Sequence, residues 1–457
     1  MDLECDFLVI GGGMAGLVSG ITALKDGFST VLLRKGQSAT ACSSGAIDVM
    51  GYLPYAVEPF SSPEEGLTAV ARLLPLHPYS VIGYRDDVQP DNVVNEIVGQ
   101  TRDAVNWLKT NLKDTIAPLK GTFDSNIHPI TVLGTTKPTC LVQETMYSDT
   151  LEQREDTVLL FAGFAGFPDF NPSIAARTFL EDRVAIGAPP RKVGWCELRV
   201  TPFGKPYNLS SIELARHLDH ENSMEDLAGP LKKQVEQLGA THVAIPPILG
   251  VKRALENKKS LEERLGVEIF ELLGFPPSVP GLRLQMALEG VFRNSGGNLL
   301  VGHEAISCTK INDRVTSIIA KAPRRKIQIN PKAVILASGK FIGGGLQGDE
   351  NGIRESVFDL MTVTGAYHSA GDIIPSRFTN RVAISPEGQP VYSCGLTVDP
   401  LFRPVQEDGM EWASNLFTAG SVLAGYNYSI EKSGLGIAAT SGYSAAKSAI
   451  SYLKDMV

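Results

Sequence analysis

One stretch near the start constrains this chain more than any other: Phe7-Leu8-Val9-Ile10-Gly11-Gly12-Gly13-Met14-Ala15-Gly16. The apolar run reads as a buried strand, the glycines as a turn, and residues 14–25 as a helix that Gly27 stops. Gly11, Gly13 and Gly16 fit the pattern G-x-G-x-x-G. One glycine makes the tight turn, one lets the backbone approach a pyrophosphate, and one lets the helix pack on the strand. The helix N-terminus then offers free N–H groups and partial positive charge to the phosphates. Residues 29–33 read as a second strand, parallel to the first, so the opening is a βαβ unit.

The 457 residues are too many for one ordinary core, so two domains are expected. With 43% hydrophobic and 20% charged residues the chain is globular rather than disordered. A net charge of -8 gives no electrostatic reason to expect nucleic acid. The six cysteines (Cys5, Cys42, Cys140, Cys196, Cys308 and Cys394) include no C-x-x-C pair, so neither a redox pair nor an iron–sulfur ligand cluster is signalled. Scattered cysteines suit a reducing cytoplasm. The start, Met1-Asp2-Leu3-Glu4, is acidic where a signal peptide would be basic, and no apolar run approaches the length of a membrane span.

Further along, Ser62-Pro63-Glu64-Glu65 reads as a capping box, and residues 91–112 carry apolar positions at helical spacing. From about residue 115 to 270 short strands such as 158–161 alternate with helices such as 210–218, and the loops are rich in proline. Phe275-Pro276-Pro277-Ser278-Val279-Pro280-Gly281 is too proline-rich for helix or strand and marks the return of the chain to its first domain. The expected organisation is α/β. A discontinuous Rossmann-like FAD/NAD(P)-binding domain takes residues 1–114 plus 275–457, and an inserted α/β middle domain, a substrate or cap domain, takes residues 115–274.

Ala333-Val334-Ile335-Leu336-Ala337-Ser338-Gly339 is another buried strand with a small-residue turn, and Asn415-Leu416-Phe417-Thr418-Ala419-Gly420 repeats the pattern. Three such turns can meet at the carboxyl edge of one sheet, where open α/β sheets bind ligands. Together with the opening fingerprint they suggest a flavoprotein. The set resembles the two-dinucleotide-binding-domain flavoproteins, among them the fumarate reductase and glycerol-3-phosphate dehydrogenase groups. More specific stretches resemble the B-subunit family of anaerobic glycerol-3-phosphate dehydrogenases. They include His77-Pro78-Tyr79-Ser80, Pro276-Pro277-Ser278-Val279, Leu282-Arg283-Leu284-Gln285 and Asn351-Gly352-Ile353-Arg354-Glu355. The likeness runs from the first strand to the last helix and weakens between about residues 140 and 270.

That resemblance implies a flavin-bearing subunit of a multi-subunit respiratory dehydrogenase. The subunit so implied oxidises glycerol 3-phosphate to dihydroxyacetone phosphate, relays its electrons to a quinone or an iron–sulfur partner, or does both. The implied cofactor is non-covalent FMN, with FAD as the alternative. The implied partners are a second flavoprotein subunit and an iron–sulfur membrane-anchor subunit, which would hold the chain at the inner face of the cell membrane. Two rivals stand beside it: a stand-alone fumarate-reductase-like oxidoreductase, and a degenerate flavoprotein fold kept as an assembly subunit.

The expected cofactor-binding residues are Gly11, Gly13, Met14, Ala15 and Gly16 of the first turn, Ser338 and Gly339 of the second, and Gly420 and Ser421 of the third. Dinucleotide sites usually place an acid after the second strand to hold ribose hydroxyls. This chain has Arg34 and Lys35 there. An arginine accepts no hydrogen bond but can bind a phosphate, which fits FMN or a 2′-phosphorylated nucleotide; a solvated basic pair fits equally. By analogy with the same flavoproteins, Ser43, Ser44 and Gly45 lie beside the flavin ring, and no histidine between Gln37 and Asp48 offers a covalent link. Gly434, Leu435 and Gly436 open the last helix, whose N-terminus would favour the anionic reduced ring. No metal site is expected. No catalytic base stands out, and the candidates for base or anion clamp are His77, His128, Arg283, Arg354 and Arg403, with Lys137 and Arg377 beside them.

Overall fold

The structure is a computed structural model that describes residues 2–83, 90–154, 156–189, 191–199, 208–220, 223–350, 352–364, 368–369 and 378–456. Its main sheet grows from the opening unit: strand β1 (Asp2–Ile10), helix α1 (Met14–Lys25) and strand β2 (Thr30–Arg34). Short helix α2 (Ala39–Cys42) follows. A second sheet uses β3 (Val158–Phe164), β4 (Lys192–Leu198), β5 (His242–Ile245) and β6 (Glu268–Glu271). The chain then returns through helix α3 (Val279–Asn294) to β7 (Asn298–Val301), β8 (Glu304–Ile311), β9 (Arg314–Ala322), β10 (Arg325–Leu336) and β11 (Leu416–Thr418), and closes with helix α4 (Gly434–Lys454).

The main sheet has seven strands in the order β8-β9-β10-β1-β2-β7, with β11 also paired to β10. β1 runs parallel to both β2 and β10. Side chains alternate across a strand, so Phe7 and Val9 enter one apolar core with α1 and α4, while Leu8 and Ile10 enter another with β8 and β9. The parallel strands at the centre of the sheet are covered on both faces, as buried parallel strands require, while β9 runs antiparallel to β8 and β10. β10 is a single strand of 12 residues, longer than the apolar run 333–339 suggests. Its first half pairs with β9, and its last three residues, Val334 to Leu336, pair with β11.

The second sheet is parallel throughout, in the order β4-β3-β5-β6, and has its own apolar core that includes Leu160, Phe161, Phe179, Val243 and Ile269. The proline-rich return behaves differently from its expected non-helical course. Ser278 caps α3 by accepting the Gly281 N–H at 3.1 Å, and Pro280 sits in the first helical turn. There an amide N–H has no intrahelical acceptor, so proline costs nothing. Among the described residues no helix is long and apolar enough to cross a membrane.

Candidate functional site

Register brings the three glycine turns together. Ile10 pairs with Leu336, and Leu336 with Thr418, so the turns after β1, β10 and β11 leave one sheet edge side by side. Two of the opening glycines are required by the protein itself. Gly11 has φ +117°, and a Cβ there would lie 2.0 Å from the Ala337 carbonyl oxygen. A Cβ on Gly16 would lie 1.9 Å from the Gly11 carbonyl oxygen. Gly13 is different: its φ of -84° is ordinary, and a Cβ would meet nothing nearer than Thr40 Oγ1 at 3.5 Å and Ser38 Cβ at 3.6 Å. The protein leaves room at the position where the fingerprint brings a phosphate to the backbone.

The surroundings of that room suit an anion. No acidic side chain lies in the first turn of α1, whose N-terminus carries the positive end of the helix dipole. Met14 N–H, however, is taken up by Thr40 Oγ1 at 2.8 Å, a residue that sequence reasoning missed because Thr40 belongs to no motif. Ala15 serves packing: Gly420 and Gly442 both press on it. At the neighbouring turn, Ser338 Oγ is buried and has no partner among the described residues. Gly339 has φ +79°, and among the described residues a Cβ there would meet only Ser421 Oγ, at 3.6 Å. The Gly420 N–H donates to Ser441 Oγ of α4 at 2.9 Å. An unpartnered hydroxyl, an open glycine face and a helix N-terminus fit the phosphate portion of a dinucleotide or flavin nucleotide.

Arg34 does not stand ready for a phosphate. Its stem lies over Gly12, whose Cβ would come within 2.8 Å of it, and its guanidinium is ion-paired to Glu289 of α3. Gln285, one turn earlier on α3, donates to the Gly12 carbonyl at 2.7 Å and to Glu289 at 2.5 Å, and accepts from Ser38 Oγ at 2.6 Å. Lys35 pairs with Glu304 at 2.6 Å. The small-residue loop is also tied down locally. Ser43 Oγ donates to the Thr40 carbonyl at 2.7 Å and accepts from Gly45 N–H at 3.2 Å, while Ser44 Oγ accepts from Ala46 N–H at 3.5 Å. These are turn bonds. Gly45, with φ +77°, packs against Pro280 and Gln143.

At the start of α4, Gly436 N–H donates to the Asp48 carbonyl at 2.9 Å. Gly434 packs on Tyr428, and Leu435 is half-buried against the main core. Near this end lies a buried polar cluster built on the stretch His77-Pro78-Tyr79-Ser80, where the candidate base His77 meets a carboxylate, Glu431, that sequence reasoning did not single out. His77 Nε2 is 3.2 Å from Glu431 Oε2, with both side chains almost wholly buried, and the His77 ring stacks on Tyr79. Lys340, directly after Gly339, donates to the Tyr392 carbonyl and lies 4.9 Å from the centre of the Tyr426 ring. Burial pushes its ammonium pKa down to about 8.

The candidate clamps are spent elsewhere. Arg283 is fully buried against Glu271. Arg354 is held by Asp359, and Arg403 by Asp399 at 2.7 Å and Glu411 at 3.3 Å. Lys137 pairs with Asp48 at 2.7 Å. His128 is exposed, and Arg377 lies outside the described residues. Among the described residues no cluster of histidine, cysteine and carboxylate side chains is arranged to hold a metal.

Comparison with known proteins gives the family. The family of FAD binding domains matches residues 6–437. The B-subunit of the anaerobic glycerol-3-phosphate dehydrogenase of Vibrio vulnificus (strain YJ016) is 31% identical over 99% of this chain and 98% of its own. The chain belongs to that B-subunit family. The probable B-subunit of the corresponding Halobacterium salinarum dehydrogenase is 28% identical over 100% of both chains. Among solved structures, a quinol fumarate reductase of E. coli is similar over 100% of this chain and 72% of its own, at 10% identity and a TM-score of 0.42. Membership makes the chain a flavin-dependent oxidoreductase with an α/β, Rossmann-like fold.

Proposed function

We propose that this chain is the flavin-holding subunit of an anaerobic glycerol-3-phosphate dehydrogenase complex. It oxidises glycerol 3-phosphate to dihydroxyacetone phosphate, or passes the electrons of that oxidation to a quinone or an iron–sulfur partner. The observation that carries this reading is similarity to B-subunit relatives along the full length of both chains. The juxtaposed turns support it, because they supply the phosphate cradle that a flavin nucleotide needs.

When bound, the flavin supplies the two-electron acceptor chemistry. The residues of the chain do the rest. The N-terminus of α1 and the open face of Gly13 receive phosphate, and Ser338 offers a hydroxyl. α4 directs its positive end toward developing negative charge. FMN is what the B-subunit resemblance implies, and FAD is what the matched family is named for. The pairing of Arg283, Arg354 and Arg403 with carboxylates speaks against a self-sufficient dehydrogenase with a clamp of free arginines. The next electron carrier and the membrane attachment at the cytoplasmic face belong to partner subunits.

The test is anaerobic reduction of the purified chain by glycerol 3-phosphate, followed by flavin absorbance, first alone and then with co-expressed partners. Bleaching of the isolated chain assigns substrate oxidation to it. Bleaching only in the complex assigns it the relay role. A chain that holds no flavin in either preparation sinks the proposal.

A further inference from the structure

We propose that Glu289, on α3, takes the place of the missing acid at the end of β2 and accepts the ribose hydroxyls of an adenine dinucleotide, so that the flavin held here is FAD. The inference rests on the flavin reading above and deepens it. In dinucleotide sites the ribose acid stands at the end of the second strand, beside the glycine loop. Here that position is Arg34, which has five donors and no acceptor. A free arginine at this rim would select a phosphate monoester such as that of FMN. This arginine is not free. Its stem crosses Gly12, and its guanidinium ends on the Glu289 carboxylate. The two charges cancel, and the pair delivers a carboxylate to the edge of the glycine loop.

The carboxylate is also fixed in place. Gln285 bridges it to the loop through the Gly12 carbonyl, and Ser38 holds Gln285 from the other side. The ion pair and the Gln285 bond both fall on Glu289 Oε1. No bond to Oε2 is seen among the described residues, and the side chain is 14% exposed, at a rim rather than in a core. An ionised carboxylate only accepts, which suits the two hydroxyl donors of a vicinal diol. The acid has moved from the strand to the helix packed against the same loop, with Arg34 as its holder.

The experiment strips flavin from the full-length protein and titrates the apoprotein with FAD and, separately, with FMN, following flavin fluorescence. The wild type is expected to bind FAD at least tenfold more tightly than FMN. Glu289→Gln is expected to weaken FAD about ten- to a hundredfold, the range for hydrogen bonds to a charged group. Its FMN affinity should change little. Excess ADP, which carries the same ribose without the flavin ring, should displace FAD from the wild type; this arm needs no variant to fold. FMN binding as tightly as FAD, equal loss of both flavins in Glu289→Gln, or no competition by ADP overturns the assignment of Glu289 and leaves the flavin reading standing. Failure of the wild type to bind either flavin overturns both.

Discussion

Gly11 and Gly13 look alike in the fingerprint but answer to different demands. Gly11 combines a left-handed φ with a carbonyl oxygen 2.0 Å from its absent Cβ. Gly11→Ala therefore strains the backbone and pushes β10 away from β1, at a cost of about 3 kcal/mol or more. Gly13 has room and an ordinary φ. Gly13→Ala is expected to change stability by less than about 1 kcal/mol while lowering flavin affinity at least tenfold. Urea unfolding and flavin titration of the two variants check both statements; loss of stability in Gly13→Ala with unchanged flavin binding would refute the division of labour. The glycine spacing and the odd basic residue at position 34 were legible in the sequence because both are local. The partner of Arg34 was not, since Glu289 lies 255 positions away and only the fold brings it back. Likewise nothing in Arg283 itself says whether it faces a ligand or a carboxylate.

At the scale of elements, local chemistry again decides what could be read. Ser62 accepts the Glu65 N–H at 3.1 Å, as the capping motif predicts, but the Glu65 carboxylate reaches Ser61 rather than closing the box on Ser62. Ser278 was hidden by the prolines around it, although a serine just before Val-Pro is a sound helix start. The turn after β10 carries a testable burden in Lys340. Its folded pKa of about 8 lies below the ordinary lysine value of about 10.4. Below pH 8 both folded and unfolded chains hold the proton, and folding bears the full penalty of burying the charge. Between pH 8 and 10 the unfolded chain holds more protons than the folded one, so stability rises with pH. A difference of that size corresponds to about 3 kcal/mol. Lys340→Met is thus expected to have a higher Tm than the wild type at pH 7, with the gap narrowing as pH approaches 10. A gap that stays constant from pH 7 to 10, in scanning calorimetry of both proteins, refutes the assignment of the titration to Lys340.

For the molecule as a whole, the important joint is the one between the second sheet and α3. Arg283 donates to both carboxylate oxygens of Glu271, at 2.5 and 2.8 Å, to the Gly250 carbonyl at 2.6 Å and to Thr145 Oγ1 at 3.1 Å. Glu271 ends β6 and also accepts the Leu249 N–H at 2.7 Å. Burial works against its ionisation, but Arg283 overcomes this and holds the carboxyl below its usual range. Breaking such a pair on one side leaves an uncompensated buried charge, so Arg283→Met is expected to cost about 3–5 kcal/mol. Removing both charges together, as in Arg283→Met with Glu271→Leu, should recover most of that loss, because well-packed apolar side chains can replace a buried pair. The consequence reaches the site, since Arg283, Gln285 and Glu289 lie on one helix. If α3 positions the Glu289 carboxylate, Arg283→Met should release flavin at a lower urea concentration than the one at which its fluorescence reports unfolding. The double variant should bring the two transitions back together. Coincident transitions in the single variant would mean that the joint supports folding alone and has no hold on the flavin site.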